Sequence, residues 1–476
     1  MTKNIWVPQT KQRIAMSRGE DEMLYGGAAG GGKSDWLVVE ATRQVKIPLY
    51  RGLILRKSVP ELAQLIEKSY NIYPKIDKKA KYNDNKHTWT FKSGAKIQFG
   101  SLYHTKDKYK YQGLQYDFIG FDELTQFIWD EYSYLRSRNR SNCKETKVYS
   151  RATANPGGIG HGWVKQYFVE AGKPYETVWT DNVVIMPDGT KKKFWNSKCF
   201  IPASVFDNPA LLENDPMYIA RLAQMNEHDR NALLYGSWDS FSGQVFTEWV
   251  DNREHYRDKR YTHVIEPFKI PWGWRIIRGF DWGYTKPFSV GWWAVDNDGR
   301  YYRIREAYGC KKGEPNVGIQ MKDFEVAQMI REIENSDPNL KGRQIYGVAD
   351  PAIFAETGSG ESIAAVHARY QVAWNKGDHE RIAGKMQIHN RLAFDDDGVP
   401  MLYVFNTCKD FIRTMPNLVY SETKVEDIDT DTEDHIYDET RYVCMENMIA
   451  PRTNVLKQVS EFDPLDVYKT NRIMMR

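Results

Sequence analysis

The chain has 476 residues, 41% hydrophobic and 27% charged, with a formal net charge of +3. That length exceeds one ordinary domain and points to two or three, each able to bury a core. There is no run of about eighteen apolar residues, so no membrane span is expected, and the N-terminus lacks an apolar signal region, so a cytoplasmic location is expected. The five cysteines (Cys143, Cys199, Cys310, Cys408 and Cys444) lie far apart with no CxxC spacing. They argue against a zinc site or a disulfide framework.

In chain order, the segment from Trp6 to Gln12 comes first, and Gln9 there is placed to read an adenine edge with its amide. A short apolar strand follows at 22–25. Residues 26–34 then read GGAAGGGKS, which contains Gly27-x-x-x-x-Gly32-Lys33-Ser34. The apolar spacing of 35–45 predicts a helix. Strand, Gly-rich loop and helix in that order are the context of a phosphate-binding loop. Backbone N–H groups of Gly27, Gly30, Gly31 and Gly32 would face phosphate oxygens, helped by the helix N-terminus. Lys33 would reach the β- and γ-phosphates of ATP, and the Ser34 hydroxyl would bind Mg²⁺. The bland reading of the same residues is a flexible glycine loop.

Further strands are expected at Arg51–Arg56, 88–91, 95–99, Phe118–Phe121 and 147–152, with helices at 59–70 and 125–138. Alternation of this kind argues for a mostly parallel sheet covered by helices. The strand ending YDFIGFDE carries Asp122 and Glu123. Asp122 would hold Mg²⁺ through water, and Glu123 would act as base toward the attacking water. TANPGG follows a third strand. Thr153 and Asn155 there would sense the γ-phosphate, although a plain Asn-Pro-Gly-Gly turn is the commoner meaning of those letters taken alone. A further cation is needed, and Arg56, Lys108 and Lys110 are all candidates. The region 163–235 reads as irregular and then as one amphipathic helix over 215–234.

The character changes near Gly236. The expected division is a P-loop ATPase domain over 1–240, with a lid or linker subdomain at 163–240, then a linker over 241–270 and a second α/β domain over 271–476. Strands at Arg275–Asp281, 288–295 and 301–307 form a meander. A helix at 317–334, a strand at 344–349 and strands near Val372 and at 401–405 follow. Asp281 lies in the first of these strands and Asp350 at the end of the fourth. Asp434, His435 and Asp438 share one face of a late helix. Carboxylates from three segments suit two Mg²⁺ or Mn²⁺ ions that activate a water against a phosphodiester. A solvated acidic helix face is the alternative for 431–439. The basic runs Lys191–Lys192–Lys193 and Arg253, Arg257, Lys259, Arg260 read either as DNA contacts or as solvated surface.

These segments together (the Gln9 region, GGAAGGGKS, LILRKS, YDFIGFDE, TANPGG, GSWDSFSGQVF, GFDWG, VADPA and DHIYDETRY) resemble the large subunit of tailed-bacteriophage terminases over nearly the whole chain. The resemblance implies an N-terminal P-loop packaging ATPase and a C-terminal RNase H-like nuclease. It implies Lys33 and Glu123 as catalytic groups of the ATPase, and Asp281, Asp350 and Asp438 as nuclease acids accompanied by Asp434 and His435. Double-stranded DNA, a portal protein, a small terminase subunit and a homo-oligomeric ring, a pentamer, are the implied partners. The implied place of action is the cytoplasm of an infected host cell and not the mature virion. Many relatives carry an Arg in or just before the phosphate loop. This chain has none there, which leaves the arginine finger open between Arg56, another residue and a neighbouring subunit. A helicase-like repair or restriction ATPase with a fused nuclease would need a second set of motor motifs between Gly158 and Trp272, and none is found. A third reading keeps the acidic cluster inert and makes the second domain a docking module.

Overall fold

The computed structural model describes residues 6–239, 241, 243–356, 358, 360–421, 424 and 426–451. The first sheet has nine strands: β1 (Glu22–Gly27), β2 (Arg51–Arg56), β3 (Lys81–Asn83), β4 (Thr88–Thr90), β5 (Lys96–Ser101), β6 (Phe118–Phe121), β7 (Tyr149–Ala154), β8 (Val178–Ile185) and β9 (Lys191–Ala203). Their order is β3-β4-β5-β2-β6-β7-β1-β9-β8. The central run from β5 to β9 is parallel throughout. Residues in β1, β6 and β7 are buried on both faces, as a parallel sheet covered by helices requires. Helix α1 (Lys33–Glu40) and helix α2 (Val59–Ile76) supply part of that cover, packing Trp36, Leu37, Leu62 and Leu65 into the core. Ser58 starts α2: its hydroxyl accepts from Glu61 N, and the Glu61 carboxylate accepts from Ser58 N at 3.2 Å, a reciprocal cap.

The second sheet has seven strands: β10 (Val264–Ile265), β11 (Arg275–Asp281), β12 (Ser289–Val295), β13 (Tyr301–Tyr308), β14 (Ile345–Ala349), β15 (Asn375–Lys376) and β16 (Leu402–Phe405), in the order β10-β16-β13-β12-β11-β14-β15. β11, β12 and β13 form an antiparallel meander, and β14 joins β11 in parallel on its other edge. Helices α3 (Asp323–Ser336), α4 (Arg381–Leu392) and α5 (His435–Met445) complete this layer.

Helix α5 is held on the sheet by a buried polar lock. Glu439 and Arg303 are fully buried and paired, and Trp293 donates its indole N–H to Glu439 Oε1 at 2.8 Å. Gly279 and Gly291 leave the room: a Cβ on either would collide with the Glu439 carboxylate. The lock sets the rotation of α5 and so the direction in which Asp438, one residue earlier, points.

Three departures from the sequence reading have local causes. The stretch 178–203 read as irregular is a long hairpin. Pro187, Asp188 and Gly189 turn it, with Gly189 at φ +81° and Asp188 Oδ1 accepting from Thr190 N at 2.9 Å. Lysines at 191–193 hid its alternation. The single helix expected over 215–234 is two, Met217–Ala223 and Glu227–Leu233, because Asn226 caps the second by accepting from Asp229 N at 2.9 Å. Residues 241–270, expected as a linker, place Val245, Phe246 and Ile265 in the core of the second sheet and contribute β10 to it. Among the described residues no helix is long and apolar enough to cross a membrane.

Candidate functional site

The phosphate loop leaves β1 and enters α1 at the carboxyl end of the parallel strands. Gly32 caps α1 in the left-handed region, φ +69°, where a Cβ would also stand 2.6 Å from Gln12 Nε2. Gln12 donates to Gly32 O at 2.9 Å and bonds the Gln9 N–H, so the N-terminal segment buttresses the loop. Gln9 donates to Asn208, whose amide in turn donates to Gly30 O at 2.6 Å. The Gln9 Oε1 atom is buried with no hydrogen-bond partner among the described residues. Ala29, Gly30, Gly31, Gly32, Lys33 and Ser34 line an open cavity of about 260 Å³ together with Lys68, Glu123, Asn155 and Asn208. Gly27 is the last residue of β1.

β7 lies between β1 and β6, so its end separates the phosphate loop from the acid pair. Asn155 bridges the two. Lys33 Nζ donates to Asn155 Oδ1 at 2.7 Å, and Asn155 donates to Glu123 through Nδ2 at 2.9 Å and through its backbone N–H at 3.0 Å. Glu123 occupies the left-handed region, φ +54°, a conformation that costs a non-glycine residue energy and marks functional turns. Burial pushes the Glu123 carboxyl up. Lys33 pulls it back, and Asp122 adds to the rise. Burial pushes the Lys33 ammonium down against the opposing pull of Glu123 and Asp122.

Asp122 is fully buried and accepts from Ser34 Oγ at 3.0 Å, from Thr153 Oγ1 at 2.5 Å and from Arg56. Of the three candidate cations, Arg56 therefore reaches the site, whereas Lys108 and Lys110 pair with Asp130 and Asp107. The Asn-Pro-Gly-Gly loop is tied down by His161, which accepts from Gly157 N at 2.9 Å and faces Trp238 O at 3.1 Å. Sequence reasoning missed Gln12 and Asn208. Asn208-Pro209 is a helix-start signature and was the available signal for the second.

The second acidic group gathers around α5. His435 Nδ1 stands 3.2 Å from Asp281 Oδ2, and its Nε2 stands 3.1 Å from Asn316 Oδ1, so both ring nitrogens are engaged. Burial, then Asp438 and Asp350, push the Asp281 carboxyl well above its ordinary range. Burial and Asp438 push Asp434 up to about 8. Burial lowers the His435 pKa against the pull of Asp434. Asp350 caps the turn after β14 by accepting from Ala352 N at 2.9 Å. Asp438 faces two guanidinium groups, Arg441 at 2.9 Å and Arg381 at 3.2 Å. Among the described residues no group of three or more His, Cys, Asp or Glu side chains is arranged to hold a metal ion. The donor chemistry nonetheless fits a hard divalent cation, because Asp281, buried, is crowded by the carboxylates of Asp438 and Asp350.

A phosphate loop, an acid pair two strands away and a polar strand end between them define a P-loop fold of the ATPase type. An antiparallel meander extended in parallel by β14 and β15 defines an RNase H-like fold beside it. Residues 24–249 match the family model described as terminase large subunit, T4likevirus-type, N-terminal. Among solved structures, the chain is similar to the large terminase of a thermophilic bacteriophage at 16% identity and a TM-score of 0.38, covering 92% of this chain and 98% of that one. It is similar to the HK97 bacteriophage large terminase at 10% identity and a TM-score of 0.46, covering 92% and 95%. The P22 large terminase nuclease domain aligns at 18% identity and a TM-score of 0.32, covering 43% of this chain and 92% of that one. No curated protein sequence matched.

Proposed function

We propose that the chain is the motor and nuclease of a phage DNA-packaging machine. ATP hydrolysis in the first sheet drives double-stranded DNA into a procapsid, and the second sheet cuts the concatemer. The observation that carries the motor half is the Asn155 bridge between Lys33 and Glu123. It joins the phosphate-binding cation to the base through one side chain at the end of a third strand.

In this reading the loop amides and Lys33 bind the ATP phosphates, and Ser34 and Asp122 hold Mg²⁺, which when bound neutralises charge on the β- and γ-phosphates. Glu123, with its proton affinity raised by burial, takes the proton of the attacking water. Arg56 contributes positive charge from within the same subunit through Asp122. Thr153 and Asn155 register the loss of the γ-phosphate, because any shift of the β7 end moves Asp122, Glu123 and Lys33 contacts together.

In the second site Asp281, Asp350, Asp434 and Asp438 would hold divalent ions, Mg²⁺ or Mn²⁺, which supply an activated water and stabilise the leaving oxygen. His435 orients Asp281, and Arg441 donates to Asp438 at 2.9 Å and fixes its direction. The division between the two units falls near residue 240, and the segment from Val245 to Ile265 goes with the nuclease side. A homo-oligomeric ring, a pentamer, docked on a portal and supplied with genome by a small terminase subunit, acting in the infected cell, is the setting.

The test separates the two halves. Lys33→Ala is expected to abolish DNA-stimulated ATP hydrolysis and leave metal-dependent DNA cleavage. Asp281→Asn is expected to do the reverse. Cleavage undiminished in Asp281→Asn would sink the nuclease assignment, and ATPase activity retained in Lys33→Ala would sink the motor.

A further inference from the structure

Arg381, the first residue of α4, puts its guanidinium among the acids of the second site. Its Nε stands 2.9 Å from both carboxylate oxygens of Asp427, Nη1 stands 3.2 and 3.3 Å from those of Asp438, and Nη2 lies 3.8 Å from Asp434. The Asp427 contact is the tight one. Nη2 is buried and has no hydrogen-bond partner among the described residues, so the seat among Asp434 and Asp438 is incompletely satisfied for a guanidinium.

The second arginine on Asp438 differs in kind. The Arg441 side chain is 2% exposed and packs over Gly384, whereas that of Arg381 is 26% exposed. Asp427, its tight partner, lines an open groove of about 680 Å³ between the two sheets. Rotation about the outer bonds of Arg381 thus has a fixed anchor and a route to solvent. Arg441 has no such route.

We propose that Arg381 gates the second site: its guanidinium competes with a divalent cation for Asp438 and swings out, pivoting on Asp427, when the cation binds. This rests on the nuclease reading above. In the closed arrangement two guanidinium groups balance Asp438. When Arg381 leaves, Arg441 still faces Asp438 at 2.9 Å while Asp434 loses the Arg381 guanidinium, and the deficit of positive charge is what a divalent ion fills. The binding-competent state is populated only in proportion to how often Arg381 is out, so its removal strengthens metal binding without adding a ligand.

The experiment is calorimetric titration of the full-length protein with Mn²⁺ alone, without DNA or ATP, supported by the gain in melting temperature on adding Mn²⁺. Arg381→Gln and Arg381→Met are expected to bind Mn²⁺ about tenfold more tightly than the unaltered chain. Arg381→Lys, which keeps the charge, is expected to stay near the unaltered affinity. Two neutral variants of different shape guard against misfolding of either one. Affinity unchanged or weakened in both neutral variants overturns the gate and makes Arg381 a resident part of the site. Tight binding that survives Asp281→Asn also overturns it, because the ion is then elsewhere. If neither the unaltered chain nor any Arg381 variant binds Mn²⁺, the nuclease reading itself falls and the gate falls with it.

Discussion

Removing the carboxylate of Glu439 tests how the second site is held. Glu439→Ala leaves Arg303 fully buried with its main counter-charge gone and leaves the Trp293 indole N–H without an acceptor. Breaking a buried pair from one side costs about 3–5 kcal/mol. Glu306, 3.3 Å from Arg303 Nε, absorbs part of the stranded charge and places the expectation near the lower figure. For a unit of this size that is a fall of roughly 6–12 °C in melting temperature, at about 2–4 °C per kcal/mol. The assay is urea unfolding followed by tryptophan fluorescence, to which Trp293 contributes. Glu439→Gln, which keeps the volume and an acceptor for Trp293, is expected to cost less. Glu439→Ala combined with Arg303→Met is expected to recover part of the loss, because no buried charge is then left alone. A cost below about 1 kcal/mol for Glu439→Ala, or a double variant worse than the sum of its singles, would refute the lock.

Asn155→Ala is expected to lower kcat for ATP hydrolysis about 100-fold while moving KM for ATP less, since it frees Glu123 and Lys33 from each other but leaves the loop amides in place; steady-state phosphate release measures this, and a change confined to KM contradicts it. Acidification is expected to destabilise the protein between about pH 6.5 and 4. His263 and His367 are held neutral by burial at about 4, below their unfolded value, so their contribution is present above pH 6.5 and is lost as pH falls through 4. His263 has no room for a second proton, accepting from Val250 N at 3.0 Å and facing Leu392 O at 2.8 Å. Urea midpoints across that window check the slope, and a flat profile would contradict it.

Much of the architecture could be read from letters, for reasons that differ by element. β1, β2 and β6 are short apolar bursts ended by glycine, arginine or acid, and each formed at or within two residues of its expected limits. The loop GGAAGGGKS and the pair Asp122–Glu123 are local patterns tied to strand ends. What was illegible depends on distance along the chain. Asn208 meets Gly30 across 178 residues, and Gln12 meets Gly32 across 20, and no period announces either contact. Arg381 reaches Asp438 across 57 residues from a helix that the sequence reading did not place. The hairpin at 178–203 was hidden by its own lysines, because an exposed ribbon needs no apolar alternation to pair. Within the acidic group, the letters listed carboxylates but could not say that two guanidinium groups face one of them.

Strand order also carries a consequence in time. β1 is the first strand of its sheet to be made and among the last to be flanked on both edges: its two neighbours are β7 and β9, pairing Glu22 with Ser150 and with Lys198. Until residue 203 has been synthesised, the strand that leads into the phosphate loop has an open edge on at least one side. The nascent chain must therefore keep an apolar strand unpaired through most of the synthesis of its own half. Slow translation before residue 203 lengthens that exposure, and a chain truncated between β7 and β9 ends with the loop's strand at the rim of its sheet.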